Sequence, residues 1–340
     1  MSKKISIAID AMGGDNSPDK TIKGIGIFID KNKSKNDFVL NIFGKNNEIL
    51  KKLSKYKIQS DSINIINSET VVSDEETPLT AVKNSKNTSM WNCIQHQLEG
   101  KSDISLSAGN TGVLLVISRM ILKMMNEINK PALAGLWPNE KGLNVVLDLG
   151  ANIECNEQNL IDFAEMGSAL YKSLVPNEKP KVSLLNVGSE EIKGTEMLKK
   201  ASQRLKELSN DDNFIYNGYI EGNNIMNGDS NVIITDGFTG NVALKTAEGT
   251  AKFITNNLKS SLSKLSIIFS FFSLKKFKEK LDPRKYNGAI FLGLNGPVVK
   301  SHGGIDHVGF YHSIDLCYKI IKGNLMSEIK KNLKHSKINT

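Results

Sequence analysis

Four times in 340 residues the same pattern returns: an apolar, β-branched run stops at small polar residues, and a helix opens directly behind them. In "NVIITDGFTGNVALK", Val232 to Ile234 reads as a buried strand. Asp236-Gly237-Phe238-Thr239-Gly240-Asn241 reads as a turn, and a helix opens at Val242. "ISIAIDAMGGDNSP" sets a strand, Ile5 to Ile9, before Asp10, Gly13, Gly14 and Asp15, with Asn16, Ser17 and Pro18 supplying helix-start chemistry. "DISLSAGNTGVLLVISRMIL" places Ile104 to Ser107 before Gly109, Asn110, Thr111 and Gly112 and a long apolar helix. "LNVVLDLGANIECNEQNL" ends a strand at Asp148, turns through Gly150 and Asn152, and reaches a helix near Asn156.

Strands separated by helical patterns imply βαβ units, hence a mostly parallel sheet with helices on both faces. Ligands of such sheets gather at the carboxyl ends of the strands, where these four turns lie. Glycines admit close approach to the backbone, and helix N-termini offer N–H groups to an oxyanion. Any one turn is explained by ordinary helix capping. Four on the same side of one expected sheet point instead to an anion site.

Two further stretches fit this scheme. "KVSLLNVGSEEIKG" is a strand ending at Asn186-Val187-Gly188, with Lys193 behind it. "LDPRKYNGAIFLGLNGPVVKSHGG" sets Lys300, Ser301 and His302 against Gly303 and Gly304 after a short apolar run, whereas His307 and His312 are expected on a helix surface. No G-x-x-x-x-G-K-[ST], no G-x-G-x-x-G after the first strand and no G-x-S-x-G occurs. Cys93, Cys155 and Cys317 are far apart without a CxxC pair, so neither a zinc site nor a disulfide framework is expected. The residues therefore describe an α/β enzyme that handles an anion without a protein nucleophile.

Composition narrows the partners. Lysine and arginine outnumber acids by 44 to 36, a net charge of +8 that suits an acidic partner or reflects a lysine-rich solvated surface. The basic residues do not alternate with aromatics, so nucleic acid is not expected. "ISIAID" follows the first four residues directly, which is unlike a signal peptide, and "LSIIFSFFSL", Leu265 to Leu274, is half the length of a spanning helix. A cytoplasmic protein is expected.

The blocks "IAIDAMGGDNSP", "SAGNTG", "LDLGAN", "LLNVGSEEIKG", "TDGFTGNVALKTAEG" and "LGLNGPVVKSHG" resemble, in order and spacing, the bacterial PlsX family of phosphate acyltransferases, from Ile5 to about Ile314. The chain departs from that pattern at Asn287 to Gly293, where the family has Gly-Gly-Ala-Pro-Leu-Leu-Gly, and at Lys83, where it tends to have Arg. The resemblance implies a three-layer α/β/α fold similar to isopropylmalate dehydrogenases and phosphotransacetylases, a homodimer, and peripheral membrane association. It implies transfer of a long acyl chain from acyl carrier protein to inorganic phosphate, feeding phospholipid synthesis and using no cofactor. A phosphotransacetylase-like enzyme using acyl-CoA is the alternative.

On that basis Lys245, His302 and Asn241 are the expected catalytic residues, with Lys245 and Lys300 neutralising charge and His302 binding phosphate or protonating the leaving thiolate. The expected substrate-binding set is Asp10, Gly13, Gly14, Asp15, Ser107, Asn110, Thr111, Gly112, Asp148, Asn152, Lys193, Asp236, Thr239 and Lys300. Asp10, Asp15, Asp148 and Asp236 would repel phosphate. They are expected to accept loop N–H groups and pair with the lysines, with Mg²⁺ binding as the rival role. One α/β domain over residues 1–335 is expected, from which an amphipathic helical segment at about 253–281 protrudes. Its apolar cluster at Ile267 to Phe272, followed by Lys275, Lys276, Lys278 and Lys280, suits a helix lying in an anionic membrane interface.

Overall fold

The structure, a computed structural model, describes residues 3–73, 76–209, 213–261 and 282–338. The first half of the chain alternates β1 (Ile5–Asp10), α1 (Asp19–Lys31), β2 (Phe38–Gly44), α2 (Asn46–Lys55) and β3 (Ile63–Asn67). It continues through α3 (Pro78–Asn84), α4 (Ser89–Leu98), β4 (Ile104–Ser107) and α5 (Thr111–Leu122). Then come β5 (Ala132–Pro138), β6 (Leu143–Leu147), α6 (Glu157–Leu174), β7 (Lys181–Leu185), α7 (Glu196–Leu208), β8 (Ile215–Ile220), β9 (Val232–Ile234) and α8 (Gly237–Ser261). The chain closes with β10 (Ala289–Leu292), β11 (Val298–Lys300), α9 (His307–Lys322) and α10 (Leu325–Ile338).

The eleven described strands form one sheet, in the order β3-β2-β1-β4-β11-β10-β5-β6-β9-β7-β8. The strands from β3 to β11 in that order are mutually parallel, as are β6, β9, β7 and β8. Between the two groups, β11–β10, β10–β5 and β5–β6 are all antiparallel. Three reversals leave the halves pointing in opposite directions. The four polar turns therefore do not share one side of the sheet: those after β1 and β4 lie at one end, and those after β6 and β9 at the other. A strand's direction depends on which neighbour it pairs with, and the local sequence does not carry that information.

Period-two alternation sends side chains to two cores. Val145 and Leu147 join Ile7, Ile9, Leu40 and Ile234 beneath α1, α2, α6, α7, α9 and α10. Val146 points the other way, to a second core with Ile233, Phe291 and Val298 beneath α4 and α5. With both faces covered, the central strands are continuously apolar, and this is why they could be read from the sequence. The architecture is the expected three-layer α/β/α.

The helix behind β9 begins at Gly237, five residues before the expected start at Val242, because Asp236 caps it. The Asp236 carboxylate accepts from Thr239 N and from Thr239 Oγ1, each at 2.8 Å. Phe253 and Leu258 lie on this helix and are exposed. The apolar cluster and lysines at 265–280 lie outside the described residues. Among the described residues no helix is long and apolar enough to cross a membrane.

Candidate active site

Three turns meet backbone to backbone where β1, β4 and β11 end. A Cβ on Gly13 would stand 2.6 Å from Gly109 N, so only glycine allows the first two turns to touch. Gly14, at φ +76°, faces Ala108 O and Gly303 O, and Asp15 N donates to Gly303 O at 3.1 Å. Asp10 and Ser107 pin the strand ends together: Ser107 Oγ donates to Asp10 Oδ2 at 2.6 Å and accepts from Gly109 N at 3.1 Å. Burial pushes the Asp10 carboxyl above the ordinary carboxylate range, while its hydrogen bonds from Ser107 and Met12 pull it back. Lys300 is 9% exposed and donates to Ala108 O at 3.4 Å and to Ser301 O. Asn110 caps α5, accepting from Gly112 N and Val113 N at 3.0 and 3.2 Å, with exposed Thr111 as the first helical residue.

A second cluster forms at the ends of β6 and β9. Asp148, fully buried, accepts from Leu133 N, Gly150 N, Ala151 N and both Asn152 N and Nδ2, at 2.7–3.2 Å. Burial still pushes its carboxyl up. The first turn of α8 packs onto this loop through Gly237 and Gly240, where a Cβ would stand 2.3 Å from Asn152 O and 1.9 Å from Asp148 O. Asn241 Nδ2 donates to Leu149 O at 3.1 Å. Lys193 is exposed on the loop after β7, where its carbonyl accepts from Asn186 Nδ2 at 3.2 Å.

Helix α8 links the two clusters. It brings Lys245 and Glu248 within electrostatic reach of His302, which follows β11. His302 is exposed, yet partial desolvation of its ring first, then the Lys300 ammonium, hold the imidazole below its ordinary pKa; Lys245 and Lys20 act in the same direction and Glu248 opposes them. Its Nδ1 accepts from Gly304 N at 3.1 Å, so the proton of the neutral ring sits on Nε2. Lys245 pairs with Glu248 at 2.8 Å, correcting the expectation that it would pair with the aspartates. His307 and His312 lie on α9; His312 is half-buried against Tyr311, with its pKa lowered by burial.

Many of the loop N–H groups are already engaged within the protein. Met12, Asp15, Gly109, Gly112, Val113, Gly150, Ala151, Asn152, Thr239 and Gly304 all donate internally. Asp10, Asp148 and Asp236 shape their turns in this way; among the described contacts the Asp15 carboxylate does not, and positive charge for an anion would have to come from side chains. Cys155 lies beside the Asp148 turn, but burial and the Asp148 charge push its thiol up to about 11, so it is not a thiolate at neutral pH. Among the described residues no three His, Cys, Asp or Glu side chains come together to hold a metal ion.

Two residues outside the expected site set belong to the cradle. Lys20, in the first turn of α1, donates its Nζ to Gly303 O. Asn287 holds the third turn from behind, with Nδ2 donating to Ser301 Oγ, Gly309 O and Ser313 Oγ at 2.8–3.0 Å and Oδ1 accepting from His302 N at 3.2 Å. The only local signal was a lysine two residues after Pro18 and an Asn-Gly pair before β10.

A family model described as "Fatty acid synthesis protein" matches residues 5–328. The phosphate acyltransferase of Pelagibacter ubique is 54% identical over 338 residues, covering 98% of this chain and all of that protein. The phosphate acyltransferase of Azorhizobium caulinodans is 41% identical, covering 98% of this chain and 94% of its own. Among solved structures, the EutD phosphotransacetylase of Staphylococcus aureus superposes with a TM-score of 0.63 at 13% identity, covering 94% of both chains. A phosphotransacetylase from Streptococcus pyogenes gives 0.61 at 16% identity, over 96% of this chain and 95% of that one. The fold is thus phosphotransacetylase-like, and at 54% identity over nearly the full length the chain belongs to the PlsX family of phosphate acyltransferases.

Proposed function

We propose that this protein transfers a long fatty acyl group from acyl carrier protein to inorganic phosphate, releasing the carrier thiol and giving acyl phosphate for phospholipid synthesis. A phosphate oxygen attacks the thioester carbonyl carbon, a tetrahedral oxyanion forms, and the C–S bond breaks as the thiolate leaves and takes up a proton. Phosphate is itself the nucleophile, which agrees with the high thiol pKa of Cys155. The observation that carries the proposal is the convergence of the Gly13-Gly14, Gly109 and Gly303 turns around the nearly buried Lys300 ammonium. A fixed cation in a site sheltered from water stabilises developing oxyanion charge far more than one in bulk solvent. His302, neutral with its proton on Nε2, serves as hydrogen-bond donor to the phosphate. Lys245, paired with Glu248, lies within electrostatic reach of His302 from α8, and Asn241 holds that helix against the Asp148 turn.

The test is purified protein with palmitoyl-loaded acyl carrier protein, with and without phosphate, followed by free thiol. Phosphate-dependent release without nucleotide, nicotinamide or metal is expected, and release independent of phosphate would sink the proposal. Likeness to phosphotransacetylases favours a second reading with acyl-CoA as donor; the same assay with palmitoyl-CoA and acetyl-CoA decides between them.

A homodimer is part of the proposal. Phe238, Val242, Phe253 and Ile254 are each more than half exposed along α8, apolar area that a second copy would cover. Light scattering should return twice the chain mass of 37.4 kDa. Peripheral attachment to the cytoplasmic membrane face through the 265–280 segment rests on sequence alone. Phe271→Glu with Phe272→Glu should abolish binding to anionic vesicles; retained binding would exclude the segment.

A further inference from the structure

Asn287 stands between the short 3₁₀ turn Pro283–Tyr286 and β10, and it is 9% exposed. Its Oδ1 accepts from His302 N at 3.2 Å, and its Nδ2 donates to Ser301 Oγ at 2.9 Å, Gly309 O at 3.0 Å and Ser313 Oγ at 2.8 Å. A backbone N–H can only donate and a backbone carbonyl can only accept, so His302 N and Gly309 O fix which end of the amide faces which way. One side chain therefore ties the Ser301–His302 turn to the first turns of α9.

The partners are themselves held. Ser301 and Ser313 are fully buried, and Ser301 N donates to Ser107 O at 2.9 Å. Asp306 caps α9, accepting from Val308 N and Gly309 N at 3.0 and 2.9 Å, and it pairs with Arg284 at 2.9 Å. Asn287 N donates to Arg284 O at 3.3 Å, so Arg284 and Asn287 clasp the start of α9 from one short segment. His302 differs from its neighbours in being exposed, so packing does not hold it. Hydrogen bonds do: Asn287 fixes its backbone N–H, and Gly304 N fixes its ring through Nδ1 at 3.1 Å. With both ends held, the direction of the Nε2 proton is set before substrate arrives.

We propose that Asn287 is a positioning residue for the reaction, whose amide locks the Ser301–His302 turn to α9 and thereby aims the His302 imidazole at the phosphate. This rests on the function proposed above, in which His302 donates to phosphate. Asn287 acts through His302 and touches no reacting group.

Turnover of palmitoyl-loaded acyl carrier protein with saturating phosphate tests it in Asn287→Ala, His302→Gln and the double variant. Asn287→Ala should lower kcat roughly tenfold, since a small misplacement of a reacting group is costly. In the His302→Gln background the same change should cost less than about twofold, because the residue it positions is already gone. Losses that multiply would show that Asn287 acts independently of His302, and they overturn the proposal. Asn41→Ala is the control. Asn41 is 4% exposed near the amino ends of β1 and β4, where its Nδ2 donates to Ser6 Oγ at 2.9 Å and Ser102 Oγ at 3.0 Å. Its loss should leave kcat unchanged, and an equal fall there would mean general loosening of the fold and also overturn the proposal. If Asn287→Ala does not fold, Asn287→Asp carries the same readouts: a carboxylate still accepts from His302 N but has no donor for Gly309 O. Wild-type kcat in Asn287→Asp overturns the role.

NMR titration of His302 needs no turnover. Lys300, Lys245, Lys20 and Glu248 act on its ring, and none of them is altered by these substitutions. Freed from its turn in Asn287→Ala or Asn287→Asp, the ring should titrate closer to the ordinary value of about 6.5. An unmoved titration overturns the positioning role. Wild-type protein that releases no thiol would sink the functional proposal alone, and the titration would still decide whether Asn287 holds His302.

Discussion

The Ser107 hydroxyl donates to the Asp10 carboxylate at 2.6 Å, joining the ends of β4 and β1 inside the sheet. Asp10 is 1% exposed, and burial raises its pKa. A raised folded pKa means stability present below the unfolded value and lost as pH rises through the folded one. Ser107→Ala removes a donor to the ionised form and raises that pKa further. The variant should lose roughly 1–3 kcal/mol, with a deficit that widens above the ordinary carboxylate range. Urea unfolding from pH 4 to pH 9 measures this, and a pH-independent deficit would show that Asp10 ionisation plays no part.

Asp148 offers the sharper loss. Its Oδ1 accepts from three backbone N–H groups and Oδ2 from both nitrogens of Asn152. Asp148→Asn would turn an amide NH₂ toward donors whichever way it is flipped. Stability should fall by about 2–3 kcal/mol, the penalty of leaving buried donors unmet. Denaturant midpoints check it, and an unchanged midpoint would mean the loop has re-formed around the amide.

Three glycines of α8 should behave in opposite ways. Gly240→Ala sets a methyl 1.9 Å from Asp148 O and must lift the helix off its loop, costing roughly 1–3 kcal/mol. Gly237→Ala, 2.3 Å from Asn152 O, should do the same. Gly249, mid-helix with nothing within 4 Å of a Cβ, gains helix propensity as alanine, and Gly249→Ala should stabilise by about 0.5–1 kcal/mol. Thermal melts of the three variants decide the matter.

The His302 imidazole, held below its ordinary pKa of about 6.5 by partial desolvation and Lys300, should be neutral at pH 7.5. His302→Gln should cut turnover roughly tenfold or more there, the scale of one lost polar contact in the transition state. Because protonating the ring turns Nδ1 into a donor facing Gly304 N–H, the wild-type advantage should shrink as pH falls through the lowered pKa. Taking the ratio of wild type to variant cancels phosphate's own titration. A ratio constant from pH 5 to pH 8 would remove His302 from the chemistry.

What the sequence by itself determined is everything that acts over a few residues. Apolar β-branched runs such as Val145 to Leu147 are strands because both faces are buried. Asn110 and Asp236 announce helix starts because their side chains accept N–H groups two or three residues on. Even there the start of α8 shifted by five residues, since an acidic cap ahead of small residues outweighs the low helix propensity of Gly237 and Gly240. Only the tertiary structure decided which turns share an end of the sheet. Antiparallel β10 and β5 reverse the second half, and pairing partners are chosen by packing across the whole chain. Lys20 and Asn287 were not read as site residues for the same reason. A lysine in the first turn of a helix and an asparagine before a strand are locally ordinary; they become part of a cradle only when folding brings Gly303 and Ser301 to them, across 283 and 14 positions.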